Sequence, residues 1–201
     1  MEGPDFVSHT LRGRINTKKD NAVFKEFDPV LSRLKKIDRL VFVGCGTAYY
    51  AGLVAEYLFE EHAGIPVEVE IASELRYRKP VFGKNTALVA ISQSGETADT
   101  LEAVREAKRQ GVFTFGVINT VGSSIAREVD VVIHNHIGPE LGVASTKAFI
   151  SQVVLMVLLA VFFGRKNKLS SRVAHEILSE LLLIPKKINR ILLNKRTIKE
   201  C

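Results

Sequence analysis

Apolar and polar positions alternate in a regular way along most of the chain. Short, mainly apolar runs with the length of buried strands cover residues 40–43, 67–72, 86–91, 114–118 and 129–133. In the second run Glu68 and Glu70 alternate with apolar residues, so one face of that strand is expected to be less buried. The longer stretches between the runs have apolar residues three and four positions apart, which predicts helices.

The residues at the ends of these stretches set the expected helix bounds. Helices are predicted at residues 29–36, 47–62, 97–110, 123–127, 145–164 and 171–193. Asp28 and Pro29 begin the first helix as its N-cap and first helical residue, and Pro185 interrupts or restarts the last. Residues 1–20 are expected to be polar and irregular.

Strands joined by helices need crossover connections, which produce a parallel sheet covered on both faces. We therefore predict a doubly wound, three-layer α/β/α sandwich with a five-stranded parallel sheet. A chain of 201 residues can bury one sizeable core, so one domain is expected. Within it we distinguish an N-terminal arm with a short helix (1–38), a central core (39–165) and a basic C-terminal helical segment (166–201).

The net charge of +6 is concentrated near the end of the chain. Residues 165–201 carry ten Lys and Arg against three Glu, and they contain no aromatic residue. Surfaces that bind nucleic acid usually interleave basic and aromatic residues, so no nucleic-acid partner is expected. We interpret the basic segment as a solvated helix face or as a surface that docks on an acidic partner.

The cysteines and the longest apolar run argue against two further classes of protein. Cys45 and Cys201 cannot form a disulfide framework or a C-x-x-C zinc site. The longest apolar run, residues 153–163, has about half of the roughly 20 residues that a membrane span needs. The first residues lack the basic start and apolar run of a signal peptide. A cytoplasmic protein without a membrane partner is therefore expected.

Three polar segments follow predicted strands at the edge of the sheet where ligands of such folds bind, and they are residues 44–48, 92–97 and 142–147. The middle segment places the hydroxyls of Ser92, Ser94 and Thr97 around one glycine at a strand-to-helix turn. Free N–H groups and the positive end of the helix dipole favour a phosphate there. Helix capping alone needs only one hydroxyl, so we predict an anion-binding cradle.

The first polar segment does not complete a nucleotide-binding motif. Gly44-Cys45-Gly46 follows a strand and begins a helix, but Tyr49 stands where the dinucleotide fingerprint has its third glycine. No segment has the glycine and lysine spacing of a P-loop. No cofactor is expected.

Three ionisable residues near these segments have both a chemical and a structural interpretation. Glu140 is either an acid or base or an exposed loop carboxylate, and Glu96 is either a catalytic carboxylate or a helix-start residue that stabilises the dipole. Lys147 is either a charge partner for a phosphate or the partner of a nearby acid.

Two further features suggest metal or thiol chemistry, and both have simpler interpretations. His134 and His136 project to one face of an extended segment, but no third ligand has a suitable spacing, so no metal is expected. Cys45 lies where a helix N-terminus lowers a thiol pKa, yet no His or Asp is assigned beside it. We interpret Cys45 as a small residue that fits a crowded turn.

Four segments in a fixed order resemble a known family. They are Gly44-Cys45-Gly46-Thr47, Glu70-Ile71-Ala72-Ser73-Glu74-Leu75-Arg76-Tyr77-Arg78, Ser92-Gln93-Ser94-Gly95-Glu96-Thr97-Ala98-Asp99-Thr100 and Gly142-Val143-Ala144-Ser145-Thr146-Lys147-Ala148-Phe149. They are similar to motifs of the first sugar isomerase (SIS) half of the glutamine-fructose-6-phosphate aminotransferase family, the glucosamine-6-phosphate synthases. The similarity runs from about Glu2 to the end of the chain.

The resemblance implies a SIS fold that binds fructose 6-phosphate or glucosamine 6-phosphate. By motif, the three hydroxyls of the middle segment hold the phosphate together with Gln93, and Thr47 lines the sugar with the backbone of residues 143–145. This chain has Ala48 where the family often has Ser, which leaves only a backbone contact. The full expected substrate-binding set is Cys45, Gly46, Thr47, Ala48, Ser92, Gln93, Ser94, Thr97, Val143, Ala144 and Ser145. No catalytic residue and no metal ligand are assigned.

The sequence also departs from the family. The family's glutaminase nucleophile is a cysteine after the initiator methionine, whereas position 2 here is Glu2, so ammonia release from glutamine is not expected. The isomerising glutamate, the ring-opening histidine and a lysine come from the second SIS half in this family. The sequence ends at Cys201, about where the connection to that half begins.

We therefore expect half of an isomerase domain that binds and orients the sugar and is inactive alone. Its expected partners are a second SIS half, a second copy in a homodimer, or both. One alternative is a stand-alone single-SIS isomerase with Glu96, Glu140 or His136 as the base. Another is a non-catalytic sugar-phosphate sensor that signals through the basic segment.

Overall fold

A five-stranded parallel sheet forms the centre of the fold. The computed structural model describes residues 3–138, 140 and 145–193. A small antiparallel hairpin of β1 (Ile15–Asn16) and β2 (Asn21–Ala22) precedes the sheet. The sheet itself consists of β3 (Arg39–Gly44), β4 (Val67–Ile71), β5 (Thr86–Ser92), β6 (Phe113–Ile118) and β7 (Val131–His134).

The strand order β4-β3-β5-β6-β7 determines where the sheet can bind a ligand. In the register Phe42 of β3 is paired with Val69 of β4 on one side and with Val89 of β5 on the other. From β3 the chain runs to the β4 edge and then returns to the other side of β3. The connections that follow β3 and β5 therefore diverge, and a crevice opens at the carboxyl ends of these two strands.

Helices cover both faces of the sheet. They are α1 (Gly3–Leu11), α2 (Leu31–Leu34), α3 (Thr47–Leu58), α4 (Ala72–Tyr77), α5 (Ala98–Arg109), α6 (Ser124–Glu128), α7 (Lys147–Gly164) and α8 (Ser171–Leu193). The first face is covered by α1, α3, α7 and α8, and the second by α4, α5 and α6. Phe42 packs on the first face and Val43 on the second, because successive side chains of a strand point in opposite directions. The predicted three-layer α/β/α sandwich is confirmed.

Helix α7 is the central helix of the first layer. It is long and apolar enough to cross a membrane by composition, with a mean hydropathy of 2.1, but 72% of it is buried inside the fold. Among the described residues it is the one helix that passes this test. Its environment confirms the interpretation of residues 153–163 as part of a buried core helix.

Three local predictions are wrong. Residues 1–20 are not irregular throughout, because α1 buries Phe6, Val7 and Leu11 on one side. Their spacing is that of a helix with a single apolar face, a signal that the polar composition obscures. The helix expected at 29–36 is instead a 3₁₀ helix (Lys25–Val30) followed by the short α2.

The third correction concerns Pro185, which lies inside an uninterrupted α8. A proline removes one backbone donor and usually kinks a helix. Here Ile184 and Ile188, on either side of it, both pack against the core cluster, so tertiary contacts hold the helix on both sides of the missing hydrogen bond.

One cluster of buried apolar side chains contains residues from all three segments distinguished in the sequence. Phe27 comes from the N-terminal segment, Phe115 from the sheet and Leu178 from α8. The segment boundaries at residues 38/39 and 165/166 stay a prediction.

Candidate functional site

An open cavity of about 410 Å³ lies at the carboxyl ends of β3 and β5. Its lining consists of Cys45, Gly46, Thr47, Ala48, Ile91, Ser92, Gln93, Ser94, Thr97, Ser145 and Gln152. Nine of the eleven residues predicted from the sequence are in this set, although they come from three separate segments. The other two, Val143 and Ala144, lie outside the described residues. We call this space the cradle cavity.

Two hydroxyls shape the turn between β5 and α5. Ser92 Oγ accepts a hydrogen bond from the Gly95 N–H at 2.9 Å, and Ser94 Oγ accepts one from the Glu96 N–H at 3.2 Å. Thr97 Oγ1 lies 3.5 Å from Ser92 Oγ. A hydroxyl that accepts through its oxygen keeps its own hydrogen, and in the Ser92–Thr97 pair only one hydroxyl can donate to the other. At least two of the three hydroxyls therefore retain a donor for an anion.

Thr97 occupies the N-cap position of α5 but makes no side-chain capping hydrogen bond. The hydroxyls of Ser92 and Ser94 therefore accept hydrogen bonds within the turn before α5, and none of the three hydroxyls caps the helix itself. The first N–H groups of α5 have no side-chain cap and begin at the wall of the cradle cavity, where the positive end of the helix dipole favours an anion.

Helix α3 begins at the same cavity. Gly46 precedes it with a φ of +56°, in the region that favours glycine, and provides no side chain that caps the helix. Gly44 lies close to the first turn, since a Cβ there would be 3.1 Å from the Ala48 Cβ. Two helix N-termini, those of α3 and α5, therefore meet at the carboxyl ends of adjacent strands.

Helix α7 begins differently, because a carboxylate already caps it. Glu140 accepts hydrogen bonds from Ser145 Oγ at 2.5 Å and from the N–H groups of Thr146, Lys147 and Ala148 at 2.9, 2.9 and 3.2 Å. Burial by itself would raise the pKa of Glu140, but these hydrogen bonds outweigh it and hold the pKa below its usual value. Glu140 is thus a structural acceptor that also positions Ser145.

Like Glu140, the remaining ionisable candidates Glu96, His136 and Lys147 are absent from the cradle lining. Glu96 is exposed and accepts a hydrogen bond from the N–H of Ser124 at the start of α6, and hydrogen bonding by Ser124 lowers the pKa of Glu96. His136 lines a neighbouring cavity of about 490 Å³ together with Gln93 and Glu140, and burial lowers its pKa. Lys147 is the first residue of α7 and is also absent from the cradle lining.

The His134 and His136 pair does not have the expected geometry. His136 has a φ of +57°, so the segment is not extended at that residue. The two ring centroids are 5.9 Å apart, and His134 Nδ1 makes a 3.0 Å hydrogen bond with the Ile118 carbonyl. Within the part of the chain that the structure describes, no three His, Cys, Asp or Glu side chains are grouped as metal ligands would be.

The described lining of the cradle cavity contains no charged side chain. It offers instead hydroxyls, amides and two helix N-termini, which together suit a group that carries negative charge and several hydrogen-bond acceptors. Cys45 lies in the same wall, partly exposed and with a free thiol.

Two lining residues, Ile91 and Gln152, were missed by reasoning from the sequence. Ile91 is the residue before Ser92 in β5, so its place in the lining follows from the predicted strand end. Gln152 is seven residues after Ser145, and its signal is a polar side chain directly before the longest apolar run.

The chain is similar to known proteins over most of its length. It matches the SIS domain family over residues 33–162. It is 44% identical over 200 residues to an isomerizing glutamine–fructose-6-phosphate aminotransferase of Caldanaerobacter subterraneus subsp. tengcongensis, which covers 99% of this chain and 33% of the relative. It is 45% identical over 192 residues to the protein of the same name from Clostridium tetani, with 95% of this chain and 31% of the relative covered.

A solved structure shows the same similarity in three dimensions. The C-terminal domain of glucosamine-fructose-6-phosphate aminotransferase from Francisella tularensis superposes with a TM-score of 0.86 and 38% identity, over 92% of this chain and 52% of that chain. The chain spans about one third of the length of the curated relatives it matches. These similarities confirm the resemblance identified from the four sequence motifs.

Proposed function

The chain belongs to the SIS domain family, and we propose that it binds a sugar phosphate, fructose 6-phosphate or glucosamine 6-phosphate, in the cradle cavity. One observation carries this proposal: the nine described residues predicted from three motifs line a single cavity, with no charged side chain in its described lining, at which α3 and α5 begin. A phosphate is the part of such a ligand that helix N-termini and hydroxyls bind best.

The lining divides between the two parts of the ligand. Ser92, Ser94 and Thr97 surround the β5–α5 turn and would hold the phosphate together with Gln93. Thr47, at the start of α3, would face the sugar, and the carboxylate cap of α7 holds Ser145 in the same wall. We include in the same proposal that the backbone of residues 143–144 lines the sugar.

The chain is homologous to the isomerase domain of glutamine–fructose-6-phosphate aminotransferases. We propose that within a longer protein of that kind it orients the sugar while acid and base groups outside the described lining move a proton between C1 and C2. Orientation of a bound substrate is a large part of catalysis, and ring opening and proton transfer need positioned acids and bases. The partners proposed for this task are a second SIS half, a second copy of the chain, or both, in the cytoplasm.

The alternative of a stand-alone isomerase receives less support from the geometry. Each of its three candidate bases, Glu96, Glu140 and His136, lies outside the cradle lining. Two of them already accept backbone hydrogen bonds at the starts of α6 and α7. A sugar-phosphate sensor would bind its ligand in the same cavity. It would differ only in its task, which is to signal to a partner that the ligand is bound instead of supporting a reaction.

Isothermal titration of the 201-residue chain with fructose 6-phosphate and glucosamine 6-phosphate tests the proposal. We expect binding that Ser94→Ala weakens about tenfold, because the substitution removes a hydroxyl next to the phosphate. Ser8→Ala is the matched control, since Ser8 is exposed on α1 and donates to the Pro4 carbonyl. An isomerase assay on the same sample is expected to show no turnover.

Absence of binding for both sugar phosphates, or equal affinities of the wild type and Ser94→Ala, would contradict the proposed site. Turnover by the isolated chain would favour the stand-alone isomerase. Binding without turnover agrees with an isomerase half and with a sensor.

A further inference from the structure

Gln152 is a buried amide in the most apolar helix of the chain. It is 1% exposed and lies in α7 beside Ser151, which is fully buried. The two polar neighbours differ in one respect. Ser151 Oγ makes a 2.9 Å hydrogen bond with Thr10 Oγ1, whereas Gln152 Oε1 forms no hydrogen bond with any described residue.

An acceptor that is buried without a partner destabilises a fold, and native proteins contain few of them. A Leu or Met at this position would fill similar space at lower cost. The position of Gln152 suggests why the amide is present, because the same side chain lines the cradle cavity between α3 and α5. Gln152 is thus a lining residue of the proposed ligand site, and its amide oxygen has no partner among the described residues.

The chemistry of the amide indicates which part of the ligand it meets. A neutral amide oxygen is an acceptor and is poorly suited to a phosphate oxygen, which is also an acceptor. A sugar hydroxyl can donate to Oε1 and accept from Nε2. The cavity volume of about 410 Å³ lies within the range of small-ligand sites, which leaves room for a sugar beside the phosphate.

We propose that Gln152 is a specificity-determining residue whose side-chain oxygen accepts a hydrogen bond from a hydroxyl of the bound sugar. This inference rests on the proposed function, because it assigns a role within the same cavity. It adds a contact from the second turn of α7 to those of the three polar segments, and it makes the site select the sugar as well as the phosphate.

The test compares Gln152→Met with the wild type in ligand affinity and in stability without ligand. Met has a similar length and no strong hydrogen-bonding group, so the ligand-free variant is expected to be at least as stable as the wild type. Its affinity for fructose 6-phosphate is expected to fall about tenfold. The affinity for inorganic phosphate, followed by ³¹P NMR, is expected to stay within about twofold. A residue with a purely structural role would instead show lower stability in the Met variant.

Two controls separate this inference from the proposed function. Ser94→Ala is expected to weaken both fructose 6-phosphate and inorganic phosphate. Ser151→Ala, on the same helix but outside the cradle lining, is expected to lower stability and leave both affinities unchanged.

If Ser94→Ala weakens the binding of fructose 6-phosphate and Gln152→Met does not, the inference is overturned and the proposed function stands. Equal weakening of both ligands by Gln152→Met would also overturn it, because the residue would then shape the whole cavity. If the wild type binds neither sugar phosphate, both proposals fail.

Discussion

Gly95 lies in the β5–α5 turn where both the backbone and the surrounding space require glycine. Its φ is +67°, a conformation that other residues rarely adopt. A Cβ at this position would be 1.9 Å from Ser123 Oγ and 2.9 Å from Ile118 Cγ2. The Gly95 N–H also donates a hydrogen bond to Ser92 Oγ, one of the hydroxyls of the cradle.

Gly95→Ala is expected to lower the free energy of unfolding by about 3 kcal/mol, since backbone strain and overlap with Ser123 add. Urea denaturation measures this change. Gly111→Ala is the matched control: Gly111 has a φ of +74°, but no atom lies within 4 Å of its added Cβ. The free energy of unfolding of that variant is expected to fall by only about 1 kcal/mol, because alanine is strained in this backbone conformation. Equal losses for the two variants would show that the contact with Ser123 is unimportant.

At the scale of a single element, α7 depends on a carboxylate from the loop before it. Glu140 accepts hydrogen bonds from the first two N–H groups of α7, from the N–H of Thr146 just before the helix and from the Ser145 hydroxyl. Because its folded pKa is held below the ordinary value of 4.5, Glu140 stabilises the fold above about pH 4.5. That contribution is lost as the pH falls through the lowered pKa.

Glu140→Gln is expected to lower the free energy of unfolding near neutral pH by about 1–2 kcal/mol, because a charged cap becomes a neutral one. As the pH falls below about 4.5, the stability of the variant is expected to fall less steeply than that of the wild type. Urea denaturation at several pH values measures both effects. Glu61→Gln, which removes an exposed carboxylate with no hydrogen bond among the described residues, serves as the charge control. Parallel acid limbs for the wild type and Glu140→Gln would rule out this role.

At the scale of the whole molecule, a cluster of aromatic rings joins the N-terminal segment to the sheet and to α7. The Phe27 ring lies 5.3 to 6.1 Å from four other rings, those of Phe24, Phe115, Phe162 and Phe163. Phe27 is fully buried although it belongs to a short 3₁₀ helix rather than to the central sheet. Residues 1–38 and the core are therefore expected to unfold together.

Phe27→Ala is expected to lower the free energy of unfolding by about 3–5 kcal/mol, since it leaves a cavity among these rings. Phe82→Ala, at a partly buried position of the second face, is expected to lower the free energy of unfolding less.

The chain has no Trp and four Tyr, at positions 49, 50, 57 and 77, so tyrosine fluorescence reports on the central core (39–165) alone. Its unfolding transition is expected to coincide with that of far-ultraviolet circular dichroism. Separate transitions would indicate that the segments unfold independently.

The sequence alone predicted most of the elements that build the site. The five strands of the parallel sheet are within two residues of their predicted bounds, because mainly apolar runs are typical of parallel strands. The β1–β2 hairpin was not predicted. The helix predicted at residues 47–62 is observed as α3 and a short π-helical segment (Phe59–Ala63), which ends at Gly64 with a φ of +65°. The apolar face of α1 was not predicted because the polar composition of residues 1–20 obscures its spacing. The continuity of α8 through Pro185 was not predicted because it depends on what that helix packs against.

The sequence by itself determined the parallel α/β architecture and the turns that contain Ser92 and Thr47, and it supports the proposal that an anion binds there. These follow from local properties: hydrophobic period, backbone preference and the polarity of a helix end. Tertiary structure alone decided that β3 and β5 are neighbours, that Glu140 caps α7 and that Gln152 lies in the cradle lining. Those outcomes depend on strand order and on contacts between residues far apart in sequence, which no local pattern records.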